Sequence, residues 1–366
     1  MALMSILRTL FRAVAFAAGL LLTAAIVAVL SPLWIFAALV RVLARALEPR
    51  FLTRNQLLEF DPTLGWKWKP ALRTHHLVDD VYTLTTDADG WTGWADLGSS
   101  DVVVFGDSFA SGYGVDAKDT FANVARPRIK PIAVGGYSMV QELLCMRLLA
   151  GSLRGKHVVW LVFHGNDLYD NLVPDLRGYR KPFVREAKNG RGWEIVSSHV
   201  TAARWPIVTE ERMQGRNHLP RLADLCADTY LAKRAFGACE FLIAQGRQVC
   251  RDAGADLTVM TVPESSQLTP AGRAQLKALG GRLASFDAGS PDARLEAICR
   301  HLDVNFVAAS SFLDGGCYRD DDCHWNERGH KRMAAAIGRL RQQRRTFVSN
   351  DVVDRLVRER AVLTPQ

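Results

Sequence analysis

The chain has 366 residues, 48% of them hydrophobic and 23% charged, and its 46 basic against 38 acidic side chains leave a formal net charge of +8. This is more chain than one average domain needs, and the composition excludes wholesale disorder. The charge invites a nucleic-acid reading, which depends on where the basic residues stand.

They stand at the start of the chain. Residues 1–55 hold Arg8, Arg12, Arg41, Arg45, Arg50 and Arg54 against one acid, Glu48, a net of +5 that leaves only +3 for the rest. No nucleic-acid partner is therefore expected. Between Arg12 and Arg41 lie 28 residues without Asp, Glu, Lys or Arg. As a helix they would reach about 42 Å, against about 30 Å of bilayer hydrocarbon. Ser31-Pro32 interrupts the run, so the sequence predicts an N-terminal transmembrane helix over 13–30, followed by an interfacial stretch toward Leu47, with membrane lipid as a partner. A cleaved signal peptide is the alternative, but its apolar core is about 7–15 residues and a small-x-small site should follow. Two arginines before the span and four after it lean toward a cytoplasmic body.

Residues 56–98 form an extended lead-in, with DPTLGWKWKP at 61–70 and a turn at Asp89-Gly90. From there short apolar runs alternate with helical stretches. The runs at 101–105 (DVVVF), 131–134, 157–163 (HVVWLVF), 256–262 (DLTVMTV) and 304–308 are mostly rich in β-branched residues, as strands buried on both faces of a parallel sheet should be. Helices are expected over 140–153, 230–253, 270–284 and 292–301. This alternation predicts a doubly wound α/β domain over 99–345. Residues 168–225 are too long for a simple crossover and read as an insertion near the site, with a hairpin turning at Lys188-Asn189-Gly190 between 183–187 and 192–196. Trp193 and Trp205 in it either shape a groove or join the core. The tail, 346–366, includes a basic amphipathic pattern over 350–363.

Seven cysteines leave at least one without an intrachain partner. Cys317 and Cys323 bracket a short acidic loop. They could close a small disulfide in an oxidising compartment or remain free buried thiols.

The chemistry-bearing residues follow the strands in order. The first strand runs into Gly106-Asp107-Ser108, which presents a serine at the carboxyl edge of the sheet, where open α/β folds bind ligands. A hydroxyl is a weak nucleophile until a base takes its proton and a third group holds that base in one tautomer. Near the C-terminus, Asp320-Asp321-Asp322-Cys323-His324 offers both from one loop, ahead of a helix from about Asn326 with Met333, Ile337 and Leu340 as its apolar stripe. Gly135-Gly136 follows the second strand and Asn166 in HGND the third. With the Ser108 amide, Gly136 and the Asn166 side chain could supply three oxyanion donors.

Taken together, VVVFGDSF at 102–109, Gly136 in VGGYS, Asn166 in HGND and DDDCHWN at 320–326 resemble the SGNH/GDSL hydrolase superfamily. Leu64-Gly65-Trp66 and TDADGW at 86–91 resemble the segment ahead of the serine block in its membrane-anchored bacterial members. The resemblance spans roughly residues 61–345. It implies a three-layer α/β/α flavodoxin-like domain of about five parallel strands, and metal-independent ester hydrolysis or acyl transfer with no cofactor. By match Ser108 is the nucleophile, His324 the general base and Asp321 its orienting acid, with Asp322 fitting the shorter Asp-x-His spacing. Ser108, Gly136 and Asn166 form the oxyanion hole. The sequence departs from the family where His164 stands in place of the third block's first glycine. The expected substrates are O-acyl esters, acetyl esters among them, of envelope carbohydrate or lipid, which points to a periplasmic catalytic domain. An O-acyltransferase would use the same triad.

Other readings fit less well. A typical α/β-hydrolase wants Gly-x-Ser-x-Gly, but Ala110 occupies the last position. A phosphate loop needs a lysine where Tyr113 stands. Cys317, Cys323, His324 and His330 lack zinc-site spacing, so no metal is expected. A membrane-tethered binding or scaffold protein would not need the full set of catalytic residues.

Overall fold

The computed structural model describes residues 16–20, 27–28, 31–32, 34–40, 57–76, 82–176, 179–190, 192–201, 218–280 and 285–341. The chain forms two compact units, Met1–Arg54 and Asn55–Gln366.

In the first unit, all the described residues are helical. Phe16, Leu20, Val27, Trp34, Ile35, Phe36 and Leu39 are all exposed. Among the described residues no helix is long and apolar enough to cross a membrane. The expected span over 13–30 lies largely outside them, and the pattern at 350–363 lies wholly outside.

The second unit opens with two hairpins, β1 (Leu58–Asp61) with β2 (Gly65–Trp68) and β3 (Arg73–His76) with β4 (Tyr82–Thr85). The expected turn at Asp89-Gly90 is present, with the Asp87 carboxylate accepting from the amides of Asp89 and Trp91. Next come β5 (Val102–Gly106), β6 (Ile129–Ala133) and β7 (His157–Phe163). The insertion contributes two-residue β8 (Asp175–Leu176) and β9 (Tyr179–Arg180), then the expected hairpin of β10 (Phe183–Glu186) and β11 (Trp193–Val196). Two strands close the series, β12 (Asp256–Val262) and β13 (Asn305–Ala308).

β5, β6, β7, β12 and β13 form one parallel sheet in the order β13-β12-β7-β5-β6. The runs VVVFG and HVVWLVF, apolar but for His157, lie inside it, buried throughout. Pro131 cannot donate to a ladder on both sides, which suits its place in the edge strand β6. On one face Val102, Val104, Val159 and Leu161 pack with Phe109, Phe121, Met333 and Ile337 in a single core cluster. Alternate residues face the other way. Trp160 lies against Gly246 of the helix Tyr230–Ala253 and donates to Glu142 of the helix Met139–Leu148 at 2.6 Å. These are the three layers of an α/β/α sandwich.

The chain reverses its direction across the sheet between β5 and β7. At such a switch point the loops leaving the two strands part and open a crevice at their carboxyl ends. Ser108 follows β5 and Asn166 follows β7, so both stand at its mouth. Trp193 packs against Gly237 of the long helix, while Trp205 is outside the described residues. All seven cysteines are free thiols, Cys317 and Cys323 included.

Candidate active site

Ser108 owes its position to Asp107. The Asp107 carboxylate accepts from the Phe109 amide at 2.9 Å and caps the single helical turn Ser108–Ser111, so the serine opens the turn directly after the strand. Gly106 lets that turn close over the sheet, since a Cβ there would come within 2.8 Å of Ala110 Cβ. The turn ends at Gly112.

His324 comes from the far end of the chain, on a loop closed at its base. Tyr318 and Trp325 form an antiparallel bridge, the Arg319 amide donates to the His324 carbonyl at 2.9 Å, and Asn326 Nδ2 donates to the Tyr318 carbonyl at 2.8 Å. The His324 ring lies between Phe109 and Tyr113, at centroid distances of 4.8 and 4.4 Å. Its Nε2 is 2.7 Å from Ser108 Oγ and its Nδ1 is 2.6 Å from Asp322 Oδ2. Nδ1–H donating to the carboxylate leaves Nε2 as the acceptor for the serine proton.

The acid facing His324 is thus Asp322, and the family-spacing expectation of Asp321 is corrected. Asp321 pairs with the Arg319 guanidinium through two contacts of 3.2 and 3.1 Å, and its side chain is 68% exposed. The bridge between Tyr318 and Trp325 leaves so tight a loop that only one of the three consecutive aspartates turns inward. Partial burial raises the Asp322 carboxyl, but the hydrogen bond and charge of His324 outweigh it and hold it at about 2. It therefore stays ionised at neutral pH.

The oxyanion candidates meet at the same place. Gly135 stands beside Ser108, where a built Cβ would be 3.9 Å from the serine Cβ. Gly136 has φ +76, and a Cβ on it would come within 2.5 Å of Leu176 Cδ2 from the insertion. Among the described residues, neither the Ser108 nor the Gly136 amide donates to a backbone acceptor. Asn166 Nδ2 donates to Asp107 Oδ2 at 3.2 Å, which holds the amide beside Ser108 and leaves a second N–H. The lead-in braces this loop. Trp66 Nε1 donates to the Gly135 carbonyl at 3.1 Å, Tyr137 Oη to the Trp66 carbonyl at 2.7 Å and Gln141 Nε2 to the Leu64 carbonyl at 2.8 Å. Gly136→Ala would force an L-residue into left-handed backbone, a cost of about 1–2 kcal/mol. We expect a loss of about tenfold or more in kcat from the displaced amide, with the melting temperature lowered in parallel. Wild-type kcat in that variant would remove Gly136 from the hole.

His164 does not enter the site. Its ring is buried toward β12, with Nδ1 3.0 Å from Gln267 Oε1 and Nε2 3.3 Å from an Asp292 oxygen. The glycine beside Asn166 is needed instead, because a Cβ on Gly165 would overlap the Phe163 ring. Cys317, Cys323, His324 and His330, already set aside as a zinc site, do not converge among the described residues. His330 Nδ1 accepts from the Phe121 amide at 3.2 Å beneath the loop, and burial with the charge of His324 lowers it to about 3. Asp322, Cys323 and His324 bring three donor atoms within 4.8 Å of one another, but the hydrogen bonds just described already use the acid and the imidazole. The sequence reading missed the bridge from Asp107 to Asn166, although Asp107 is in the quoted serine block. It also missed Lys181, whose sequence context carries no signal.

No protein-family model matches the chain, and no curated protein does. Solved structures similar to it include a GDSL-like lipase from Bacteroides thetaiotaomicron, with 15% identity, 68% of this chain and 91% of that one covered, and a TM-score of 0.36. A carbohydrate acetylesterase from Sinorhizobium meliloti has 12% identity, 65% and 95% coverage and a TM-score of 0.34. An extracellular lipase from Streptomyces rimosus has 14% identity, 64% and 96% coverage and a TM-score of 0.34. Likeness at this level adds no weight of its own to the geometry above.

Proposed function

We propose that the chain is a serine ester hydrolase of the SGNH/GDSL type that works through an acyl-enzyme. The observation that carries this reading is the unbroken chain Ser108 Oγ, His324 Nε2, His324 Nδ1, Asp322 Oδ2, with links of 2.7 and 2.6 Å. Ser108 Oγ attacks the ester carbonyl carbon while His324 Nε2 takes its proton. The carbonyl oxygen gains the charge and is met by the amides of Ser108 and Gly136 and the Asn166 side chain. Collapse expels the alcohol, which His324 protonates, and leaves the acyl group on Ser108. Water activated by His324 then releases the carboxylic acid. If an acceptor hydroxyl replaces water in the last step, the same residues carry out acyl transfer.

We further propose that the enzyme is held at a bacterial inner membrane by its N-terminus, with the catalytic domain on the periplasmic side and O-acyl esters of envelope carbohydrate or lipid as substrates. The uncharged run from 13 to 40 and the exposed apolar side chains at Phe16, Leu20, Val27, Trp34 and Phe36 support the attachment.

A fluorophosphonate probe on the purified full-length protein tests the mechanism. Wild type should be labelled, Ser108→Ala should not, and His324→Ala should label at least a hundredfold more slowly, in line with the loss of a general base. Equal labelling of wild type and Ser108→Ala would overturn the reading.

A further inference from the structure

The insertion carries a lysine that the reaction just described leaves unused. Lys181 is fully buried, and its Nζ donates to Ser138 Oγ at 3.0 Å, the Asp170 carbonyl at 2.5 Å and the Pro182 carbonyl at 3.4 Å. Ser138 lies two residues beyond Gly136 and caps the helix Met139–Leu148. Asp170 ends the short helix Asp167–Asp170 that begins directly after Asn166. One ammonium thus ties the loop holding one oxyanion donor to the loop holding another, its three N–H groups matched to three acceptors. The backbone around it makes the same junction. The Lys181 amide donates to the Pro174 carbonyl at 3.0 Å, and the Val184 amide to the Asn171 carbonyl at 2.8 Å. Between these points Leu176 covers Gly136.

We propose that Lys181 is a positioning residue whose ammonium sets the spacing of the Gly136 and Asn166 loops, so that the insertion contributes to stabilising the oxyanion. This rests on the ester-hydrolase reading. Oxyanion donors lower a barrier only when they are held in place before charge develops, and a displacement of about 1 Å costs about a hundredfold. A buried ammonium is expensive to maintain, and simple packing of the insertion would not need one.

The charge state gives a readout that a structural role would not share. Burial lowers Lys181 to about 8, against the opposing pull of Asp170 and Asp167 from the helix after β7, Asp175 from β8 and Glu142 from the helix Met139–Leu148; burial pushes the Asp167 and Glu142 carboxyls well up in turn. Above that pH a neutral amine offers two N–H groups to three acceptors, and the tie loosens. The folded value lies below the ordinary 10.5, so the unfolded chain binds this proton more tightly. This group's contribution to stability therefore rises as pH climbs from about 8 to about 10, while kcat should fall. A lysine that only held the fold together would give the same rise in stability and leave kcat flat through pH 8.

The test compares full-length wild type with Lys181→Met on p-nitrophenyl acetate. The variant should lose about tenfold to a hundredfold in kcat, with KM within about twofold. It should also lack the wild-type fall in kcat through pH 8. A variant kcat within twofold of wild type, or a shared alkaline fall, overturns the proposal. If Lys181→Met does not fold, Ser138→Ala removes one acceptor, and kcat should drop about fivefold, roughly 1 kcal/mol; an unchanged kcat overturns the proposal. Fluorophosphonate labelling is read in parallel. If wild type is not labelled, the hydrolase reading fails, and hydrogen exchange at residues 135–138 and 166–171 then decides the tie. Faster exchange in Lys181→Met supports it, and unchanged exchange overturns it.

Discussion

Asp322→Asn should lower kcat by about 10³–10⁴, while Asp321→Asn should change it by less than about threefold. The two residues are neighbours of the same type in one acidic run, yet their surroundings give them different chemistry. Asp322 Oδ2 holds His324 Nδ1 at 2.6 Å, and its Oδ1 accepts the Cys323 amide at 2.6 Å. With asparagine there, an amide N–H can face Nδ1, the imidazole turns to the tautomer with Nε2 protonated, and the serine proton has no acceptor. Asp321 reaches into solvent, 68% exposed, and pairs there with an Arg319 whose own side chain is mostly buried, a partly screened ion pair that does not touch His324. Arg319 also keeps its bond to the Gly114 carbonyl at 3.1 Å. Steady-state kinetics on p-nitrophenyl acetate, with folding checked by circular dichroism, distinguishes the two. A mild effect of Asp322→Asn would mean that His324 is oriented by the Phe109 and Tyr113 rings alone.

The same contact ties the site to stability in acid. The folded value of Asp322 is held near 2, below the ordinary 3.8. Its stabilising contribution is therefore present above about pH 4 and is lost as the pH falls toward 2.

What the sequence made legible follows from which forces are local. The five strands were readable because short runs such as VVWLVF are apolar on both faces and alternate with helical stretches, as the interior of a parallel sheet requires. The serine turn, Gly136, Asn166 and His324 were readable because each directly follows its strand or precedes its helix. The edge strand β6 starts two residues before and ends one residue before the expected 131–134, at Ile129–Ala133, since the proline that looks like a start lies inside it. The choice between Asp321 and Asp322 depended on a loop geometry set by Tyr318, Trp325 and Asn326, and a spacing rule carried over from relatives does not encode that. Lys181 was invisible for a different reason. A lysine in a polar insertion is normally a solvated surface residue. Only the fold shows that Ser138, Asp170 and Pro182 converge on it across 43, 11 and 1 residues of sequence.

Asn166→Ala should cost about 10²–10³ in kcat, or about 2.7–4 kcal/mol, with a much smaller change in KM. The side chain is needed only once the carbonyl oxygen becomes an anion, so truncation should spare substrate binding and slow the chemistry. Its Nδ2 is already held by Asp107 Oδ2 at 3.2 Å, and that anchor fixes where the second N–H points. Asp107 is itself buried, and the loss of solvent raises its carboxyl above the ordinary range despite the Phe109 amide and the charge of His324. Asn166→Asp should therefore be the worse variant. It replaces the donor with an acceptor and sets a second carboxyl against a buried one, so kcat should fall below that of Asn166→Ala and the melting temperature should fall with it. Asp107→Asn makes a third arm. It keeps the cap's acceptor toward Phe109 but disturbs the Asn166 anchor, and an intermediate kcat is expected. If Asn166→Ala retains kcat within threefold of wild type, the Ser108 and Gly136 amides carry the oxyanion without it. The Lys181 tie would then have only the Gly136 loop left to position.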